Sequence, residues 1–198
     1  MAALVTSTPK GLYCPAGGFY IDPWRCDISM RAVITHAHSD HAHSGCGSYL
    51  ASPSGSLMLK ARLGESCPVQ AQQWGLAHAT RIGDVQVSLH PAGHVLGSAQ
   101  IRLERVGGTP GPDEGGTWVI TGDYKLEPDG ISEKFEPVTC DTLITESTFG
   151  LPIYRWRPNA ELCVQICDWW RQCQRDGRVA VIFCYSLGKA QRVLVGVD

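Results

Sequence analysis

An α/β fold is what the sequence predicts, on three observations. Up to about residue 145 the chain falls into short runs rich in β-branched and aromatic residues, each bounded by turn formers, which is how strands read. Beyond residue 150 the apolar positions change to helical spacing and alternate with one nearly continuous apolar run. Third, 198 residues with 43% apolar and 18% charged side chains have a globular composition and enough length for a substantial core.

In chain order, "FYID" and "RAVITH" are predicted strands. "SGSLMLKARLG", residues 54–64, is a predicted helix, followed by strands at "VQVSLH", "AQIRLERV", "TWVITGD" and "TLITES". "GGTPGPDEGG", residues 107–116, is expected to be an exposed hairpin loop. Pro158 opens a helix whose apolar positions Leu162, Ile166, Trp169 and Cys173 share one face, and Gly177 closes it. Its tryptophans invite comparison with a base-stacking platform, but the helical spacing of Trp169 reads as core. "RVAVIFCYS" has the pattern of a buried parallel strand, and "LGKAQRVLVG" that of the next helix, so residues 151–198 read as the opening of an α/β unit. There are no internal repeats.

A net charge of −2 gives no global attraction to a polyanion, so any contact with nucleic acid must be local. The nine cysteines are odd in number and scattered, with no C-x-x-C pair. Reduced thiols in a cytoplasm are therefore expected, most of them as small core residues. The amino end has no basic stretch followed by an apolar one, and no apolar run reaches the ~18 residues of a membrane span.

Four of the seven histidines, His36, His38, His41 and His43, fall within "VITHAHSDHAHSG" with Asp40 among them. His36 and His38 are two residues apart at the end of a strand and can point to the same side, while Asp40 and His41 face a second point on the turn. Imidazole nitrogen and carboxylate oxygen are the usual ligands of Zn²⁺, and two ions about 3.5–4 Å apart can share such a loop. A polar loop with surface histidines explains that spacing poorly. Gly188-Lys189 is not a Walker motif, since the required earlier glycine and following Ser/Thr are missing.

The pattern His36-x-His38-x-Asp40-His41 resembles the signature of the metallo-β-lactamase superfamily. "HPAGHVLGSAQI" and "VITGD" resemble its next two motifs, and "FYIDPW" resembles its upstream acidic motif. The resemblance implies an αββα sandwich over residues 1–150. It implies a first metal held by His36, His38 and His94, Asp123 as a carboxylate bridging both metals, and Asp40 and His41 on the second. Asp22 would orient the ligand loop from outside the ligand set. "LITESTFG" and "CYSLGKAQ" are similar to stretches of the nucleic-acid-processing β-CASP branch, which makes residues 151–198 the beginning of a β-CASP domain, apparently truncated. "GLYCPAGGFYIDPWR" with "THAHSDHA" looks like the bacterial ligase-associated DNA exonucleases, a group also related to mRNA 3′-end processing factors. Outside the motifs, His43 is expected to be a surface loop residue, His90 structural, and His78 exposed.

This resemblance implies hydrolysis of a phosphodiester with two Zn²⁺ ions that lower the pKa of a shared water. Asp40 is placed to take the water's proton, with Asp123 and Glu146 completing the catalytic carboxylates and Lys189 offering a phosphate contact. The expected activity is that of a DNA exonuclease linked to DNA repair, with DNA favoured over RNA, a DNA ligase as a partner and no membrane. The alternatives are an RNA 3′-end processing nuclease of the same branch, and a catalytically incomplete metal-binding fragment with an interaction role. A lactam or thioester hydrolase is disfavoured, because it would lack "TESTFG" and "SLGKAQ". The family's last ligand is a distal histidine, and no histidine follows His94. The chain is thus expected to be the amino-terminal part of a longer enzyme, with its second metal site incomplete.

Overall fold

A computed structural model describes residues 3–107 and 115–197. The tip of the expected 107–116 hairpin loop lies outside the described residues. The chain divides into two compact units: Met1–Pro128 with Ser132–Glu146, and Asp129–Ile131 with Ser147–Asp198.

The first unit is built on two sheets. One runs in the order β1 (Thr6–Thr8), β2 (Gly11–Cys14), β3 (Phe19–Ile21), β4 (Arg31–Val33), β5 (Ser48–Ala51) and β6 (Val69–Ala71). It is antiparallel up to β3 and parallel from there on. The other has the order β11 (Thr142–Ile144), β10 (Thr117–Ile120), β9 (Ala99–Arg105), β8 (Val85–Pro91) and β7 (Thr80–Ile82). The alternation of β8 turns Val85, Val87 and Leu89 inward, opposite Ile101 and Leu103 of β9. These join Phe19, Ile21, Val33 and Leu50 of the first sheet in one buried cluster. A sandwich results because each sheet has one apolar face to hide, and burying each such side chain stabilises by about 1.5–3 kcal/mol.

Helix α1 (Pro53–Leu63) follows β5. The Ser52 hydroxyl caps it by accepting from Gly55 N at 3.0 Å, Pro53 fits the first turn, and Lys60 and Arg62 complement the dipole in the last. Ser52 also donates to the Gly97 carbonyl at 2.6 Å. Gly97 has φ +77°, and a Cβ there would collide with the Gly55 amide, so only glycine lets the β8–β9 turn sit against this helix start.

In the second unit, α2 spans Asn159–Arg175 and α3 spans Lys189–Gly196. Gly177, with φ +65°, ends α2 by donating to the Gln174 carbonyl while Arg178 N reaches the Cys173 carbonyl. Two expectations fail here. "RVAVIFCYS" forms no strand, and Val179 and Phe183 are 87% and 95% exposed, because among the described residues of this unit no neighbouring strand completes a ladder. Trp169 is exposed rather than core; the buried face of α2 is carried by Cys167 and Cys173.

The cysteines also depart from expectation. Cys26 and Cys46, twenty residues apart, are paired as a disulfide, because the β3–β4 and β4–β5 connections converge. The other seven are in no disulfide, and of them only Cys14, Cys167 and Cys173 are buried. Among the described residues no helix is long and apolar enough to cross a membrane.

Candidate metal centre

The chain leaves β4 at Ile34, whose amide donates to the Leu50 carbonyl at 2.9 Å, and enters the histidine loop. A turn closes the loop, with His41 N and Ala42 N donating to the His38 carbonyl at 3.2 and 2.9 Å. His94 stands on the β8–β9 turn, where the Ser98 hydroxyl accepts from His94 N and Val95 N at 3.0 and 3.2 Å. Asp123 follows β10 and Glu146 follows β11. The functional candidates therefore come from the carboxyl ends of strands in both sheets, where backbone irregularity frees side chains to converge.

One nitrogen or oxygen from each of His36, His38, His94 and Asp123 lies within 4.8 Å of all the others. His38 Nδ1 is 3.0 Å from His36 Nε2 and 3.3 Å from His94 Nε2. Asp123 Oδ2 is 3.5 Å from His94 Nε2 and 3.8 Å from His36 Nε2. Ligands about 2.0–2.1 Å from a tetrahedral ion stand roughly 3.3 Å from each other, so the spacing of this donor set fits one divalent cation. The other carboxylate oxygen, Asp123 Oδ1, lies 3.5 Å from His41 Nε2, which in turn is 3.8 Å from Asp40 Oδ2. Asp40 and His41 thus lie beside the carboxylate oxygen of Asp123 that His36 and His94 do not approach.

Asp22 stands behind both groups. Its Oδ1 accepts the Thr35 amide at 2.8 Å, and its Oδ2 accepts the Thr35 hydroxyl and His41 Nδ1, the latter at 2.8 Å. Since the Thr35 hydroxyl donates to Asp22, it accepts from His36 Nδ1 at 3.1 Å, which leaves the His36 Nε2 lone pair toward the cluster. The same carboxylate leaves His41 Nε2 as an acceptor. Asp22 has φ +43°, a conformation that aspartate tolerates better than most residues. Gly122, φ +55°, is needed because a Cβ there would sit 2.6 Å from the Thr35 Cβ.

Electrostatics separate the imidazoles. Burial holds His36 well below its ordinary value, and the neighbouring His41, His94 and His38 add to the effect. Burial, then His38, brings His94 to about 4, against the opposing pull of Glu146 and Asp40. For His41, burial is the largest single influence and pushes down. The hydrogen bond and charge of Asp22, with Asp123 and Asp40, outweigh it and raise the pKa. Burial, reinforced by Glu146 and Asp40 and opposed by His41 and His38, raises Asp123.

The remaining candidates sort as follows. Glu146 accepts from Tyr124 N at 3.2 Å, next to Asp123 in the chain. His90 is buried between Ser88 Oγ, 3.2 Å away, and Glu136 Oε1, 3.0 Å away, and stands apart from the ligand cluster. His78 is exposed. His43 is half-buried rather than a surface residue, because its carbonyl is held by the Tyr49 hydroxyl at 2.8 Å. Lys189 begins α3 in the other unit, with Nζ 4.7 Å above the Tyr185 ring. The sequence reading missed Thr35, whose only signal is its place before His36, and Arg62, whose Nε donates to the Ala37 carbonyl inside the ligand loop. It also missed Glu133, which binds Gly97 N at 2.8 Å and Ser54 Oγ at 2.8 Å.

No family model matches the chain. A probable DNA ligase of Opitutus terrae is 33% identical over 188 residues, which is 95% of this chain and 17% of the relative. Endoribonuclease ysh-1 of Neurospora crassa is 33% identical over 133 residues, 66% of this chain and 14% of the relative. The chain therefore spans less than a fifth of the length of either relative. Among solved structures, Rm3 metallo-beta-lactamase is 16% identical and superposes over 97% of this chain and 83% of its own with a TM-score of 0.42. The ordered motifs, the donor sets around Asp123 and the sequence relatives together make the chain a member of the metallo-β-lactamase superfamily, in its β-CASP branch.

Proposed function

We propose that the protein is a zinc-dependent phosphodiester hydrolase acting on nucleic acid, with DNA as the favoured substrate, exonucleolytic cleavage as its mode and DNA repair as its context. One observation carries the reading: the two oxygens of Asp123 face two different donor sets, three imidazoles on one side and Asp40 with His41 on the other. His36, His38 and His94 would hold one ion, Asp40 and His41 a second, and Asp123 both. Two such ions supply Lewis acidity to a phosphoryl oxygen and acidify a water.

The protein's own residues do the rest. Asp22, directly and through Thr35, keeps His41 and His36 in the tautomers that present Nε2. Asp40, 77% exposed at its side chain, stands where it can accept a proton from water and release it to solvent. Glu146 steadies the backbone beside Asp123 by holding Tyr124 N. Residues 1–150 in this reading are the metallo-β-lactamase domain, and 151–198 open the β-CASP domain.

Nucleic acid as substrate is supported by relatives named as a probable DNA ligase and an endoribonuclease. The ligase match runs along almost the whole chain, which favours DNA, a ligase as partner and a cytoplasmic setting; the shorter endoribonuclease match keeps RNA as the second reading. The test is zinc per chain, together with cleavage of labelled single- and double-stranded DNA and RNA with and without EDTA. Zinc bound at one to two ions per chain and EDTA-sensitive cleavage that favours DNA are expected. A chain that binds no zinc would sink the proposal, and cleavage of RNA alone would replace DNA with RNA.

A further inference from the structure

The second unit contains an aromatic cluster outside the metal centre. Phe149, Tyr154 and Trp156 pack ring against ring: Phe149 meets Tyr154 and Trp156 edge-on, with centroids 5.1 and 4.9 Å apart. The Tyr154 and Trp156 planes lie within 9° of parallel at 6.3 Å. Contact among themselves does not hide them. Phe149 is 54% exposed, Tyr154 41% and Trp156 69%. Three contiguous rings left to water mark a surface meant to be covered.

Charge indicates what covers it. Residues 147–198 carry seven basic and four acidic side chains, so this part is positive in a chain whose net charge is −2. Arg155 and Arg157 alternate with the aromatic residues and are exposed. The ion pairs of this unit use Arg171 and Arg178, and among the described residues neither Arg155 nor Arg157 has a carboxylate partner. Aromatic faces interleaved with free guanidinium groups are suited to a ligand that carries both flat apolar rings and regularly spaced anions.

We infer that Phe149, Tyr154 and Trp156 form a base-stacking subsite for single-stranded nucleic acid, with Arg155 and Arg157 on its phosphates. The inference rests on the nucleic-acid reading above and deepens it, because it assigns unpaired bases to this segment. Stacking tolerates any base, so recognition here is of strandedness rather than sequence.

The test is the anisotropy of fluorescein-labelled thymidine and uridine oligonucleotides of about 12 residues, titrated with the full chain in EDTA so that nothing is cleaved. Trp156→Ala should weaken binding roughly tenfold, the loss of one stacked base, and Trp156→Phe should restore most of it. Arg155→Ala with Arg157→Ala should reduce the slope of log affinity against log salt by about 1.4. The inference is overturned if the wild type binds neither oligonucleotide, if Trp156→Ala binds like wild type, or if Trp156→Phe is as weak as Trp156→Ala. It is also overturned if sedimentation shows that the patch is covered by a second copy, with Trp156→Ala turning a dimer into a monomer. The two readings fail separately. A wild type that binds in EDTA but cleaves no phosphodiester with zinc sinks the hydrolase reading alone. A wild type that cleaves with zinc while Trp156→Ala binds normally sinks this one alone.

Discussion

The Oδ2 side of Asp123 and its Oδ1 side are built from different materials. On the Oδ2 side stand three imidazoles from two separate turns, and the side chain of His36 is fully buried. On the Oδ1 side stand His41 and Asp40, adjacent in one turn, with Asp40 almost wholly in water. Burial keeps His36 and His94 uncharged and therefore ready to bind a cation, while the carboxylates around His41 favour its protonated form. The contrast teaches that one carboxylate can join a donor set anchored on a buried imidazole to a second set that ends in an exposed carboxylate, so that water reaches the Asp40 side.

Asp123→Asn breaks the comparison most severely, because it removes charge from both sides while keeping the shape. Zinc affinity and phosphodiester hydrolysis should each fall by more than about a hundredfold, beyond the range typical of a residue that only supports a ligand. Equilibrium dialysis with zinc and a cleavage assay measure the two losses. Retention of full zinc by this variant would rule out a bridging Asp123.

A pair of single changes then separates the sides. His94→Ala should strip the tightly held ion, whereas Asp40→Ala should leave one zinc per chain and abolish hydrolysis. Metal analysis of the two purified variants is the measurement. Equal zinc in both would show that the sides do not differ as their burial suggests.

The supporting residues offer a finer cut. Asp22→Asn disturbs His36 and His41 together and should cost about 10–100-fold in zinc affinity on both sides. Thr35→Val removes the link to His36 and one donor to Asp22 but leaves the Asp22–His41 contact in place, so its larger loss should fall on the tight ion. If Thr35→Val weakened both ions alike, the relay from Asp22 through Thr35 would be wrong.

This division between ligands and supports is also the division between what the sequence shows and what it hides. His36, His38, Asp40 and His41 lie in six consecutive residues, so chain proximity alone brings them together. His94 and Asp123 are distant and entered only through motif resemblance. Thr35, Arg62 and Glu133 were not legible, because a threonine, an arginine and a glutamate acquire roles only when the β8–β9 turn, α1 and the histidine loop are packed against one another. The Cys26–Cys46 pair was hidden for the same reason. β3, β4 and β8 to β11 were legible because short β-branched and apolar runs between turn formers report a buried face, whereas β1, β2, β5, β6 and β7, three or four residues each, were too short to show such a run. "RVAVIFCYS" misled because apolar content reports only a tendency to be covered, and a strand also needs a neighbour to complete its ladder.

The smallest expected effect is that of pH, and it falls on one side only. A metal competes with protons for an imidazole nitrogen, so affinity declines below the pKa of the free ligand, by at most about tenfold per pH unit for one histidine. His41 has a raised pKa, which means that the proton is held more tightly than usual and that competition begins above the ordinary histidine value of 6.5. His36 is lowered well below that value and His94 to about 4, so neither takes up a proton until the solution is far more acidic. Lowering the pH from 7.5 to about 5.5 should therefore release the ion beside His41 and Asp40 while the ion among His36, His38 and His94 stays. Zinc per chain, measured by dialysis at half-unit steps, should fall from two toward one across that interval and hold there. Asp22→Asn takes away the largest of the influences that raise His41, so in this variant the step should move to lower pH, although binding is weaker overall. A single transition in which both ions leave together near pH 6.5 would mean that the difference in burial and charge between the two sides has no consequence for metal binding.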